Sequence, residues 1–159
     1  MIGFPGISYG QAIVFIYGKT SANAIAVMSY LAANPGHRAG SAEIAEARGI
    51  SRPLTAKLLT QLAAAGLATG QPGPGGGYTL ARPAKEIRLF DIASLYENTN
   101  SPALCPFGHN WCGKGDPCPL HFKIVDLQAA NRRFLEETYL SAFSDQTRDC
   151  RSGILPNPG

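Results

Sequence analysis

Three of the four cysteines, Cys105, Cys112 and Cys118, fall within fourteen residues, and His121 follows to give Cys-x6-Cys-x5-Cys-x2-His. Pro106, Gly108, Gly113, Gly115, Pro117 and Pro119 lie among them. These residues favour tight turns, which lets three thiolates converge on one point beside an imidazole. Such a donor set completes either a tetrahedral zinc site or a cluster with one nitrogen-ligated iron. Spacing alone leans towards structural zinc, since three-Cys-one-His zinc sites are common. His109 competes with His121 as the nitrogen donor, although a lone loop histidine is more often just solvated. Trp111 either shields the site from water or anchors the loop by packing. Cys150 stands apart near the end with no evident partner. In a reducing, cytoplasmic setting, clustered thiols bind metal more often than they pair as disulfides.

The chain that must position these groups has 159 residues, 45% of them hydrophobic, which suits one small domain with an appendage and excludes wholesale disorder. Its longest apolar run, Ala12–Tyr17, has six residues, far short of the roughly 18–20 that span a bilayer. The first charged residue is Lys19, so no basic stretch precedes an apolar one as in a secretory signal. Residues 1–18 are apolar, glycine-rich and poorly periodic, and are expected to be an extension. One reading places the translation start near Val14, which the intact mass of protein made from its native gene would test. Charge is uneven: Lys19–Phe90 carries a balance of +5 and Asp91 to the end −2, within an overall +3. A basic first half is what a polyanion partner would select, although so small a difference is also ordinary solvated surface.

Small and apolar residues at helical spacing (Ala22, Ile25, Ala26, Met28, Leu31) predict a helix over Lys19–Ala33, stopped by Asn34-Pro35-Gly36. A second helix is expected from Ser41 as N-cap to Arg48-Gly49, with Glu43 in its first turn. Ser51 should cap a third, with Pro53 tolerated in the first turn, Leu54, Leu58, Leu59 and Leu62 as its apolar stripe, and Gly66 at its end. Two short helices around Arg48-Gly49-Ile50-Ser51 match a helix-turn-helix, or equally an antiparallel pair in any bundle. The next segment separates these readings. Leu67-Ala68-Thr69 and Tyr78-Thr79-Leu80 flank a Gly/Pro tip, Gly70–Gly77, which predicts a β-hairpin directly after the third helix. A glycine-rich tip lets the backbone lie against a phosphate strand. A helix is then expected over Ile87–Glu97, a cysteine loop over residues 98–119, and a long helix from about Leu120 to Phe143. The stripe of that helix, Leu120, Ile124, Leu127, Asn131 and Phe134 widened by Phe122, Val125 and Ala129, most simply pairs with a second copy of itself, or packs back on the winged domain. Residues 145–159 read as a tail.

Taken together, Ser21–Leu31, the paired helices to Gly66, the Gly73-Pro74-Gly75-Gly76-Gly77-Tyr78-Thr79-Leu80 wing and the triple cysteine resemble the IscR/NsrR-type (Rrf-two) bacterial transcription regulators, over about residues 19–143. The resemblance implies a mostly α (α+β) fold: a winged helix-turn-helix domain over 19–97, a cluster-binding loop over 98–119 and a dimerisation helix over 120–144. It also implies an iron–sulfur cluster on the cysteines. The Cys118-Pro119-Leu120-His121 ending is most similar to the IscR branch, where a histidine here completes a [2Fe-2S] site, preferred to [4Fe-4S]. Three departures stand out. The first cysteine interval holds six residues rather than about five. Thr20-Ser21-Ala22-Asn23 lacks the carboxylate that the NsrR branch uses as fourth ligand. Pro72 stands where the family often places a wing arginine, a loss that should weaken minor-groove reading.

The resulting expectation is a homodimer on a double-stranded DNA operator, cytoplasmic and not enzymatic, whose cluster senses iron status, redox state or nitric oxide. Ser51, Arg52, Thr55 and Ala56 would face bases or phosphates, with Arg52 able to bond a guanine edge bidentately. Lys57 and Gln61 would add phosphate or base contacts, and the backbone of Gly75, Gly76 and Gly77 would follow the adjacent strand. A structural zinc is the alternative for the metal. An iron–sulfur electron-transfer protein is the alternative for the function, but it leaves the wing unused.

Overall fold

The computed structural model describes residues 17–97 and 117–144. Helix α1, Lys19–Ala33, forms the centre of the fold because one broad face is apolar or small: Ala24, Ile25, Val27, Met28, Leu31 and Ala32 are all buried. Its amino end is held from far along the chain. The Gly18 N–H and the Ser21 hydroxyl both donate to Glu97 Oε1, at 2.7 and 2.6 Å, and Tyr17 packs on the core. The folded unit therefore already includes Tyr17 and Gly18, two residues that sequence reading placed in the extension.

Helix α2, Ser41–Arg48, is capped by Gly40 rather than by Ser41, and the Gly40 N–H lies 3.4 Å from Glu43 Oε2. Its chain reverses at Gly49, φ +63, a left-handed position that an L side chain would strain. Helix α3, Arg52–Ala64, follows from Ser51 and carries Pro53 in its first turn, where the missing N–H costs no helix bond. Leu58, Leu59 and Leu62 are fully buried against α1 and α2, so truncating any one to alanine should cost about 2–5 kcal/mol.

Strands β1, Ala68–Gln71, and β2, Gly77–Leu80, form an antiparallel hairpin in the register Ala68↔Leu80 to Gln71↔Gly77. Ala39 bridges to β2: its N–H donates to the Tyr78 carbonyl at 3.1 Å and its carbonyl accepts from the Tyr78 N–H at 2.9 Å. The wing is thereby bound to the segment that leads into α2.

Two elements differ from expectation, for one shared reason. The Leu89 N–H donates to the Thr138 carbonyl and the Leu140 N–H to the Ile87 carbonyl, both at 2.9 Å, around an Arg88↔Tyr139 bridge. This pairing holds Ile87 and Arg88 extended, so the predicted Ile87–Glu97 helix is cut to a short α4 at Leu89–Ala93, with a 3₁₀ turn ahead of it at Ala84–Glu86. It also extends Thr138, ending α5, His121–Glu137, at 17 residues; a 3₁₀ turn, Leu140–Phe143, follows. Leu140 is fully buried beside α1. The carboxyl end of α5 thus packs back on the winged domain. Along the rest of the helix, Leu120, Phe122, Val125, Leu127 and Phe134 are exposed in the single chain, Phe122 by 67%.

Candidate nucleic-acid interface

On α3 the buried leucines turn the opposite face outward, and Arg52, Ala56, Lys57, Thr60 and Gln61 are exposed on it, with Ser51 exposed at its start. Thr55 is not part of this face. Its side chain is fully buried and its hydroxyl donates to the Ser51 carbonyl at 3.1 Å, so it stabilises the start of α3 and cannot reach a base. The helical period places Thr55 one step inside the face that Ala56 and Lys57 occupy. Thr60, which sequence reading passed over, stands on that face because it follows Ala56 by one turn; its hydroxyl bonds the Ala56 carbonyl at 3.0 Å.

The acidic group nearest the start of α2 is engaged locally. Glu43 Oε1 accepts from the Tyr30 hydroxyl at 2.7 Å and lies 2.7 Å from His37 Nε2. The Tyr30 hydroxyl and then His37 hold the Glu43 carboxyl below its usual range, and the same bond to Glu43 raises Tyr30. Arg48 is committed to α1: its Nε donates to the Ala26 carbonyl at 3.1 Å, and its guanidinium lies 5.5 Å from the centre of the Tyr30 ring. The cations left at the exposed start of the reading helix are Arg52 and Lys57.

The wing tip is shaped by close approach. A Cβ on Gly76 would fall on the Gln71 carbonyl oxygen, and one on Gly77 would lie 2.9 Å from the carbonyl oxygen of Ala39. Gly75 is exposed, and the Gly76 N–H closes the turn on the Gly73 carbonyl at 2.9 Å. The tip is therefore a backbone surface without side chains from Gly75 to Gly77, suited to a phosphate strand.

Of the metal-ligand candidates, Cys118 and His121 are described. Cys118 is half-buried just ahead of α5, and the His121 N–H donates to its carbonyl at 2.9 Å, so one turn leading into that helix holds the two together. The His121 and Phe122 rings stand nearly perpendicular, with centroids 5.3 Å apart. Cys105 and Cys112, with His109, Trp111 and Cys150, lie outside the described residues. Among the described residues alone, no three His, Cys, Asp or Glu side chains gather as a metal site. No helix among them is long and apolar enough to cross a membrane.

A helix-turn-helix whose second helix offers a polar, basic face, followed by a glycine wing bound back to the chain before α2, defines the winged-helix class of DNA-binding proteins. The sequence profile of the Rrf2 family, described as iron-dependent transcriptional regulators, matches residues 17–146. The chain belongs to the Rrf2 family of transcriptional regulators. It is similar to an HTH-type transcriptional regulator of Aquifex aeolicus, 29% identical over 77% of this chain and 87% of that one. It is also similar to the regulator IscR of Klebsiella pneumoniae, 32% identical over 62% of this chain and 60% of that one. Its fold matches the solved structure of CymR, the global cysteine regulator of B. subtilis, with a TM-score of 0.68 over 82% of this chain and 97% of that one at 21% identity. These are regulators of transcription rather than enzymes.

Proposed function

We propose that this regulator binds its operator as a homodimer whose DNA affinity is set by an iron–sulfur cluster on Cys105, Cys112, Cys118 and His121. The observation that carries this reading is one of placement. Cys118 and His121 occupy the amino end of α5, a helix whose apolar face is uncovered, in a chain of an iron-dependent family. Three thiolates with one imidazole suit a [2Fe-2S] cluster, here preferred to [4Fe-4S]. When bound, the cluster supplies a centre that oxidants, nitric oxide and iron scarcity can alter.

The chain's own residues do the remaining work. Phe122 and Val125 on one side of α5, and Leu127 and Phe134 on another, are covered by a second copy, which removes from water the largest exposed apolar side chains of α5. Ser51, Arg52, Ala56, Lys57 and Gln61 meet bases and phosphates in the major groove, and the Gly75–Gly77 backbone follows the neighbouring strand. Two readers joined this way would recognise a pseudo-palindrome. A DNA reader of this kind works in the cytoplasm.

Purification without oxygen is the test. Iron and acid-labile sulfide in a brown protein, both lost in Cys112→Ala with no change in the melting of the winged domain, is the expected result. A colourless protein carrying zinc would reassign the same ligands to a structural metal. Protein lacking iron, sulfide and zinc would overturn the metal assignment altogether.

A further inference from the structure

The wing of this chain has a deficit of charge. From Pro72 to Gly77 it carries no cation, and no side chain at all from Gly75 to Gly77. A surface that follows a phosphate strand gains most of its affinity by neutralising phosphates, which backbone N–H groups do only in part. The chain that pairs with the wing carries the missing charge. Ala39 exchanges both backbone hydrogen bonds with Tyr78, which seats Arg38 directly beside Gly77: a Cβ on Gly77 would lie 2.9 Å from the Arg38 carbonyl carbon. Arg38 is exposed, and among the described residues it makes no hydrogen bond and no ion pair. Glu43, the acid that follows it in α2, is already engaged by Tyr30 and His37. Arg48, by contrast, is tied to Ala26 and Tyr30.

We infer that Arg38 is the phosphate-binding cation of the wing, neutralising a backbone phosphate of the DNA strand along which Gly75–Gly77 lies. The inference rests on the winged-helix reading of DNA and goes beyond it by moving the wing's charge from tip to root. A guanidinium presents paired N–H donors that match phosphate oxygens. Anchored beside Gly77 rather than projecting from position 72, it contacts the backbone and not the groove floor, so its contribution is independent of base sequence.

The experiment is a salt titration of full-length protein against two labelled duplexes of unrelated sequence, read by fluorescence anisotropy. Each neutralised phosphate contributes about 0.9 to the slope of log affinity against log salt, or about 3.5-fold over a fourfold change in salt. Arg38→Ala should lower the slope by about that amount for each wing engaged, equally on both duplexes, with an unchanged melting temperature. Arg38→Lys should keep most of the slope. An Arg38→Ala protein with the wild-type slope overturns the inference, whether or not its affinity falls. A loss confined to one of the two duplexes would also overturn it, because that would be base reading. If the wild type shows no salt-dependent affinity for either duplex, the DNA-binding reading itself fails, an outcome distinct from the failure of Arg38 alone.

Discussion

Replacing Gly77 by alanine should unseat the wing, and Gly75→Ala measures how much of the effect is strain alone. Gly75 has φ +72 with open space where a Cβ would go, so alanine there bears only the left-handed penalty, about 1 kcal/mol. Gly77 has φ +148, and its Cβ would meet the Ala39 carbonyl oxygen and the Arg38 carbonyl carbon, each at 2.9 Å. All of these are backbone atoms and none can swing aside. The Gly77→Ala chain carries about 1–3 kcal/mol of conformational strain. It must also part Ala39 from Tyr78, giving up two hydrogen bonds of 3.1 and 2.9 Å that contribute about 1 kcal/mol each. The total is roughly 3–5 kcal/mol, against about 1 for Gly75→Ala. At about 4 °C per kcal/mol for a domain of this size, Gly75→Ala should melt about 4 °C below wild type and Gly77→Ala about 12–20 °C below. Circular-dichroism melts of the three proteins decide it. Gly77→Ala melting within a few degrees of Gly75→Ala would refute the close seating of β2 on the Ala39 segment.

Thr55→Val should leave DNA affinity within about twofold while costing about 1 kcal/mol of stability, since the buried hydroxyl bonds only the Ser51 carbonyl; Arg52→Ala should do the reverse, and anisotropy beside thermal melts separates the two. Phe122→Glu with Val125→Glu places charges on one uncovered side of α5 and should yield a monomer by sedimentation equilibrium with the helix content kept; a dimer that persists would assign the contact elsewhere. Acid stability should depend on Glu43. Its carboxyl lies below the usual range through the Tyr30 hydroxyl and His37, so its contribution is complete above the unfolded carboxylate range and is lost as pH falls through the lowered folded value. In Glu43→Gln the melting temperature should therefore fall less steeply on acidification, and an acid limb parallel to that of wild type would contradict the role given to this cluster.

What sequence reading captured was local, and what it missed was paired across the chain. Helix α1 begins and ends at Lys19 and Ala33 as its periodicity predicts, because the Asn34-Pro35-Gly36 stop and the apolar spacing act within a few residues. The hairpin around Gly70–Gly77 was legible for the same reason. The extended backbone at Ile87–Arg88 was not, because it is set by hydrogen bonds to Thr138 and Leu140 some fifty residues away. A continuous helical stripe from Ile87 to Glu97 is real as a pattern, yet two long-range backbone bonds outweigh the propensity of its first turn. Thr55 is a finer miss of the same kind. Its polarity pointed outward, while the burial of Leu58, Leu59 and Leu62 rotates α3 so that Thr55 turns inward.

The Arg88↔Tyr139 bridge has a mechanical consequence that neither helix reveals alone. It fixes the carboxyl end of α5 to the segment just before α4, and Leu140 buries beside α1. Two guanidiniums approach the Phe90 ring at the same junction, Arg88 at 6.0 Å and Arg132 at 5.3 Å from its centre. Arg88 also grips Asp91 at 2.8 Å, and Arg132 grips Glu136 at 2.8 Å. One end of α5 is therefore part of the winged domain's own core, whereas Cys118 and His121 lie at its other end. With its carboxyl end fixed, the helix acts as a lever: a small displacement of the amino end turns the whole element about the fixed one. Any ligand gathered at Cys118 and His121 acts at the long arm of this lever, about 24 Å of helix away from the bridge at 1.5 Å per residue. In the proposed homodimer, coupling from that end to α3 needs no rearrangement within the winged domain, only a change in how two copies of α5 meet.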